Sequence, residues 1–268
     1  MKLKVLVDNN TYIDQYFCGE PALSFYIEDG ERKILFDTGY SDVMLKNAMK
    51  MKVDLATVDT IAFSHGHNDH TRGLRYSLEA FDLSAVRVVA HEDAFKQRIS
   101  KGEDIGSLIH TAQLQSLCRL ELTKEPLKIS DHITFLGEIP TLHEFEPRRV
   151  VGKQKEGDGF VDDAILDDTA LVYQNEQGLH IITGCSHSGI CNIIEYAKRV
   201  CKENRIVAVI GGFHLFDVDE RTTAVIDYFK ANQIAQLYPC HCVSFPVKAY
   251  LHQSIPIREV GVGLELEW

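Results

Sequence analysis

Residues 61–74 read Ile61-Ala62-Phe63-Ser64-His65-Gly66-His67-Asn68-Asp69-His70-Thr71-Arg72-Gly73-Leu74, an apolar run that ends in three imidazoles and a carboxylate within six positions. With 12 histidines in the whole chain, histidine at three prescribed positions arises by chance roughly 0.02 times in a chain of this length, before the aspartate is required. A loop that is merely His-rich is a poor account of it. Residues two apart on an extended strand end point the same way, so His65 and His67 can present their rings to one ion. Beyond the strand the chain turns, and Asp69 and His70 project toward a neighbouring position that suits a second ion. Gly66 and Asn68 fit tight turning between the ligands, since both tolerate backbone conformations that other side chains resist. Imidazole with carboxylate favours zinc, iron or manganese, whereas calcium or magnesium calls for an all-oxygen site. Four donors do not fill two ions, so the rest must come from elsewhere in the chain.

The chain as a whole has 268 residues, 45% hydrophobic and 25% charged, which fits one globular domain over 1–268 with a sizeable core. Its start, Met1-Lys2-Leu3-Lys4-Val5-Leu6-Val7-Asp8, alternates like a first strand and has no signal-peptide pattern. No run is long enough to cross a membrane, so a cytoplasmic protein without a membrane partner is expected. Seven scattered cysteines suit reduced thiols better than a disulfide framework. The net charge of -11 argues against a nucleic-acid partner, which needs a basic surface. Lys2, Lys4 and Arg148-Arg149 read as a solvated face.

Around the motif, strands are expected over 2–8, 22–28, 33–37, 59–64 and 86–90, with a turn at 29–32. Helices are expected over 42–51, behind a Ser41 cap, and over 74–81. Residues 99–127 resist assignment. After a strand at 132–136, residues 137–163 are rich in glycine, proline and charge, which suggests a lid or pocket-lining loop. The second half regains order, with strands at 170–174, 179–183, 205–210 and 234–238 and helices at 188–201, 220–231 and 245–252. Strands followed by strand-helix units in both halves imply sheets with helices packed outside.

Metal and substrate should then gather at strand ends, which directs attention to polar residues just after apolar runs. Three such places stand out: Gly184-Cys185-Ser186-His187-Ser188-Gly189, Gly211-Gly212-Phe213-His214, and Pro239-Cys240-His241-Cys242. The recurrence selects His187 and His241 as further metal ligands, while His214 can contact metal or substrate. The Cys-His-Cys run lacks a second cysteine pair, so it is not an independent structural zinc site. His91 also ends a strand, as a cap or a pocket wall. His110, His132, His143, His180 and His252 have no supporting context.

With Phe36-Asp37-Thr38-Gly39 and HxHxDH from His65 to His70, the sequence resembles the metallo-β-lactamase superfamily across most of its length. The resemblance implies a four-layer αββα sandwich in the α/β class, with a one- or two-metal site at one edge of the sheets. It places His65 and His67 on a first metal, Asp69 and His70 on a second, and Asp37 behind a ligand. A narrower likeness, in Gly184 to Ile190, Gly211 to Leu215 and Pro239 to Cys242, is to the branch that includes the dihydropterin ribofuranosylaminobenzene phosphate synthases. Where most superfamily hydrolases carry a Gly-His-Thr histidine and a bridging aspartate, this chain has Asp167-Asp168-Thr169 and Gly184-Cys185. Asp168, Cys185 and His187 thus compete for the remaining coordination, with His187 preferred because imidazole is the commoner partner of a two-His site.

The expected cofactors are two divalent metal ions, zinc first, with iron or manganese as alternatives. A site of this kind brings bound water toward neutrality and holds the hydroxide as nucleophile. Asp69 would orient it, and His214 would donate a hydrogen bond or proton to the developing charge. The helix that opens after Gly189 could offer amides to an anionic group of a small-molecule substrate. The leading expectation is a hydrolase of a small ester, lactone, thioester or phosphoester. A pterin-type transferase is the alternative implied by the narrower likeness, and a non-catalytic metal-binding or redox protein is a third class.

Overall fold

The computed structural model describes residues 1–234 and 236–268. In chain order the elements are β1 (Lys2–Val7), β2 (Ser24–Asp29), β3 (Arg32–Phe36), α1 (Val43–Lys50), β4 (Thr60–Ala62), α2 (Asn68–Thr71), α3 (Gly73–Ala80) and β5 (Arg87–Ala90). There follow β6 (Arg98–Ser100), β7 (Glu103–Asp104), α4 (Thr111–Leu117), β8 (Arg119–Leu122), β9 (Leu127–Lys128), β10 (Ile133–Phe135), β11 (Lys153–Glu156) and β12 (Gly159–Asp162). The rest are β13 (Ala170–Asn175), β14 (Gly178–Thr183), α5 (Ile190–Cys201), β15 (Ile206–Gly211), α6 (Glu220–Ala231), β16 (Gln236–Pro239), α7 (Phe245–Ser254) and β17 (Glu265–Glu267).

Two sheets carry the architecture, one ordered β17-β1-β2-β3-β4-β5-β8 and the other β16-β15-β14-β13-β10-β9. Their facing sides bury Phe25, Ile27, Phe36, Phe135, Leu171, Ile182 and Ile210 in one apolar layer. Outside the first sheet, Met44, Ala48 and Leu74 of α1 and α3 pack on Leu35, Ile61 and Val88. Outside the second, α5, α6 and α7 bring Ile193, Ile194, Val225, Phe229, Val247 and Leu251 onto Val172, Ile181 and Val209. Three apolar layers separate four structural ones, which is the expected αββα sandwich.

The strands of each sheet that carry the site's residues are parallel: β3 with β4 and β5, and β14 with β15 and β16. Helical crossovers return the chain each time to the same edge, so the C-terminal ends of these strands collect there. The helices are shaped for this task. Ile190, Ile193, Ile194 and Ala197 lie on one buried face of α5 at helical spacing. Asp219 caps α6 by accepting from the Thr222 amide, and Ser244 caps α7 ahead of a first-turn proline.

Several boundaries differ from expectation. The N-cap position of α1 is Asp42, without a side-chain cap, rather than Ser41, whose hydroxyl donates to Glu20 at 2.6 Å and accepts the Val43 amide from one position further out at 3.3 Å. Helix α5 starts at Ile190 rather than Ser188. The strand expected over 234–238 includes Ala235, which lies outside the described residues, and β16 is observed from Gln236. The unassigned stretch 99–127 and the expected loop 137–163 contain partners of each other: β6, β7, β11 and β12 form a small sheet of order β12-β11-β6-β7. The hairpins β6-β7 and β11-β12 are local but short and polar, and only the long-range pairing of β6 with β11 joins them, so neither segment shows a clear period on its own. Among the described residues no helix is long and apolar enough to cross a membrane.

Candidate metal centre

Four strands of the two sheets end in residues with a left-handed backbone: Asp37 after β3, Ser186 after β14, His214 after β15 and His241 after β16, with φ of 59°, 61°, 50° and 53°. Side chains with a Cβ adopt this region at a cost, and such residues cluster where function fixes the backbone. Here the device turns the chain sharply at the sheet edge and aims the neighbouring side chains into one buried cluster.

Asp37 organises the first sheet's contribution. Its Oδ1 accepts the Ser64 amide at 2.7 Å, and its Oδ2 accepts the Ser64 hydroxyl and faces His70 Nδ1, both at 2.7 Å. With Nδ1 so engaged, His70 Nε2 points to the centre of the cluster, where it meets His241 Nε2 and Cys185 Sγ, each at 3.2 Å. Asp69 Oδ2 lies 3.6 Å from His70 Nε2 and 3.3 Å from His241 Nε2. On the other side, His65 Nε2 lies 3.1 Å from His67 Nδ1, and the His187 ring sits 4.8 Å from both rings, centroid to centroid.

The donors form two groups, Asp69-His70-Cys185-His241 and His65-Cys185-His187, and the atoms of each lie within 4.8 Å of one another. Cys185 belongs to both. Two imidazole nitrogens of this cluster, His67 Nε2 and His187 Nε2, are buried without a hydrogen-bond partner, which is costly unless something else satisfies them. Converging imidazole, carboxylate and thiol donors with unpartnered nitrogens fit divalent metal.

Electrostatics agree with this. Burial, helped by the neighbouring imidazoles, drives His65 and His187 well below the ordinary histidine range. Burial holds His67 at about 4. Burial opposes the charged form of His70 too, but the Asp69 and Asp37 carboxylates outweigh it and hold that imidazole up at about 9. Burial likewise raises Asp69, yet His70 and His241 outweigh it and keep the carboxylate below its usual range. The Cys185 thiol is pushed far up by burial and by Cys242.

A metal ion entering the second group needs the lone pair of His70 Nε2 and the thiolate of Cys185, so both must lose a proton at neutral pH. Affinity should therefore rise with pH through about 9, where His70 titrates, and beyond it, since the Cys185 thiol ionises later still. Titration with zinc in buffers of different ionisation enthalpy is expected to report release of at least about two protons, with His241, whose imidazole the Asp69 carboxylate holds up against burial, as a further source. Loading with no net proton release at neutral pH would contradict these assignments.

The six histidine and aspartate ligands expected from the sequence, His65, His67, Asp69, His70, His187 and His241, all lie at this edge; five of them belong to the donor groups, and His67 lies beside His65 but outside both. Among the three competitors for the remaining coordination, Cys185 and His187 lie in the donor groups. Asp168 is in neither group: its Oδ2 accepts the Ser188 amide at 2.9 Å and the Ser188 hydroxyl at 2.5 Å, which fixes the turn carrying His187. His214 packs against His187 with the rings tilted by 50° and their centroids 4.3 Å apart, and lies outside both groups. His91 is buried away from them, accepting the Asp93 amide and facing Glu138 at 3.2 Å.

Two local expectations are corrected. Gly66 is not among the residues of positive φ; a Cβ there would overlap Arg98 Nη1 and the Ala94 carbonyl, so space rather than turning selects glycine. Asn68 opens α2 instead of making a turn. The N-terminus of α5 is also not free for an anion. Glu146, fully buried, places Oε2 on the Cys191 and Asn192 amides at 2.8 and 3.2 Å.

Residues missed by the sequence reading lie immediately after β1. Asp8 accepts the His241 amide at 2.9 Å, and Asn9 Oδ1 lies 3.2 Å from His241 Nδ1, orienting that ring as the Asp37 carboxylate does for His70. Both follow an apolar strand, so the search for polar residues after apolar runs would have found them had it been applied to β1. A cavity of about 370 Å³ opens beside His67 and Asp69, walled by Tyr40, Ser100, Ile105 and Val151. A larger one of about 620 Å³, between α7 and residues 257–260, touches neither donor group.

Comparison with known proteins places this geometry. The pattern that defines the metallo-beta-lactamase superfamily matches residues 19–200. A solved structure described as a metal-dependent hydrolase of the beta-lactamase superfamily superposes with a TM-score of 0.86 at 29% identity, covering 100% of this chain and 99% of that one. An uncharacterised protein of Methanocaldococcus jannaschii is 36% identical over 254 residues, 94% of each chain. The 7,8-dihydropterin-6-methyl-4-(beta-D-ribofuranosyl)-aminobenzene-5'-phosphate synthase of the same organism is 31% identical over 260 residues, 91% of this chain and 88% of that protein. The chain therefore belongs to the metallo-beta-lactamase superfamily, in the branch that holds that synthase.

Proposed function

We propose that this protein is a metal-dependent hydrolase of a small ester, lactone, thioester or phosphoester, with two divalent ions at the edge site, zinc first and iron or manganese as alternatives. The observation that carries the proposal is the meeting of the two donor groups at Cys185, with Asp69 as their one partly exposed carboxylate, facing the adjoining cavity. The hydrolase structure that matches the whole chain supports it. His65, His67, His187 and Cys185 would hold one ion, and Asp69, His70, His241 and Cys185 the other. When bound, the ions supply Lewis acidity and water that ionises near neutral pH.

The chain's own groups then divide the remaining work. Asp69, kept ionised by His70 and His241, can orient a water; a carboxylate held so low is too weak a base to keep its proton. His214 is held at about 4 by burial, with Arg221 and Arg149 adding to it, so at neutral pH it carries no spare proton. It is suited to donate a hydrogen bond to charge developing on the substrate oxygen, rather than to act as an acid. The cavity wall of Tyr40, Ile105 and Val151 suits a small molecule with an apolar flank. With a net charge of -11, nucleic acid is not the proposed partner.

A second reading, a transferase that joins a pterin-type diphosphate to an aromatic amine, is favoured by the synthase relative at 31% identity. The two are separated by assaying zinc-, iron- and manganese-loaded protein on the four ester classes, with diphosphate release from a pterin diphosphate measured in parallel. Hydrolysis of at least one class is expected, falling at least about 100-fold in His65→Ala. No hydrolysis beside amine-dependent diphosphate release would favour the transferase. Turnover unaffected by His65→Ala or by metal removal would sink both readings.

A further inference from the structure

Arg98 is fully buried, and burying a guanidinium is expensive unless carboxylates surround it. Its Nε meets Asp163 Oδ2 at 2.7 Å, and its Nη2 lies 2.7 Å from Asp167 Oδ1, close in distance but off the hydrogen-bond direction. Nη1 donates to the Ala94 carbonyl at 3.2 Å. A buried triad of this kind is seldom worth more to stability than apolar residues of the same volume. Its connections suggest what else it does.

The second oxygen of Asp167 accepts the Gly66 amide at 2.7 Å, and Gly66 rests directly on the Arg98 guanidinium, with no room for a Cβ between them. On the far side of His67, the Asn68 amide donates to the Ile105 carbonyl at 2.8 Å. The small sheet and the segments that leave it thus grip the loop on both sides of one ring, through Arg98 of β6 and Asp167 beyond β12 at Gly66, and through Ile105 just after β7 at Asn68. Arg72 secures the second grip, with Nε on the Gly106 carbonyl at 3.1 Å and Nη2 on Asp104 at 3.1 Å. Thr169, two residues beyond Asp167, donates its amide to the Ser64 carbonyl at 2.9 Å, so the same segment also holds the start of the loop.

We infer that Arg98 is a positioning residue for the metal loop: through Asp167 it sets the aim of His65 and His67, and so ties the small sheet to metal affinity. The inference rests on the proposed function only in taking these two histidines as metal ligands. Ser100, Ile105 and Val151, which wall the cavity, come from or adjoin the same small sheet. The wall that a substrate touches and the ligands behind it therefore share one support.

The test uses the full chain with Asp167→Asn and Arg98→Lys. Zinc affinity is measured by competition with a chromophoric chelator, amide exchange of Gly66 by NMR on metal-free protein, and thermal unfolding alongside. Both variants are expected to unfold cooperatively, to bind zinc about 10- to 100-fold more weakly, and to exchange the Gly66 amide faster while Val89 and Ile182 stay protected. Arg98→Lys, which can still reach one carboxylate, should lie between wild type and Asp167→Asn. A folded Asp167→Asn with wild-type zinc affinity and wild-type Gly66 exchange would overturn the inference, as would a loss of protection spread evenly over the core. If wild type itself takes up no zinc, the proposed function fails, and Gly66 exchange alone still decides whether Arg98 and Asp167 hold the loop.

Discussion

Replacing Cys185 by alanine is expected to weaken metal binding in both donor groups at once, by more than about 100-fold, with turnover falling at least as far. The expectation follows from its position: Cys185 supplies the one donor atom common to both groups, and its sulfur lies 3.2 Å from His70 Nε2. Loss of a ligand private to one group should leave the other intact, whereas loss of a shared one should not. Metal content after dialysis against a chelator checks this, with Asp168→Asn as a contrast that touches neither group directly. Cobalt substitution adds a second readout, since a thiolate ligand produces a near-ultraviolet charge-transfer band that Cys185→Ala should remove. Retention of two ions at wild-type affinity in Cys185→Ala would show that the sulfur is not a shared ligand.

Arg98→Met is expected to destabilise the metal-free protein by about 3–5 kcal/mol, the range for removing one partner from a buried ion pair. Asp163 and Asp167 would be left facing each other without their cation, in surroundings where burial already raises Asp163. Urea unfolding followed by circular dichroism measures the loss, and an unchanged m-value would show that the denatured state is unaffected. A loss below about 1 kcal/mol would mean that the two carboxylates find other compensation, such as water entering the pocket.

How far the sequence could be read depended on the range of the interactions involved. The main strands and helices of both halves follow from local pattern, because β2, β3, β13 and β14 are apolar runs bounded by turns and α5 and α6 each carry a buried face at helical spacing. The small sheet does not, because β6 and β11 are held by each other across more than fifty residues, and polar strands such as Lys153–Glu156 have little apolar face to reveal them. The rule that polar residues after apolar runs line a sheet edge located His187, His214 and His241. It singled out His187 and His241 as ligands and left His214 to contact metal or substrate; the first two lie in the donor groups and His214 lies in neither.

The donor set of the site was determined by the sequence itself: the spacing from His65 to His70 marks a candidate metal loop, and the repeated strand-then-histidine pattern points to an edge site between sheets. Only the tertiary structure decided how that chemistry is divided. It set Cys185 between the donor groups, moved Asp168 behind Ser188, closed the α5 N-terminus with Glu146, and placed Arg98 under Gly66. The physical reason is that a donor's identity is carried by its own side chain, whereas its role depends on distances of 2.7 to 3.2 Å to groups that the fold brings together from distant parts of the chain.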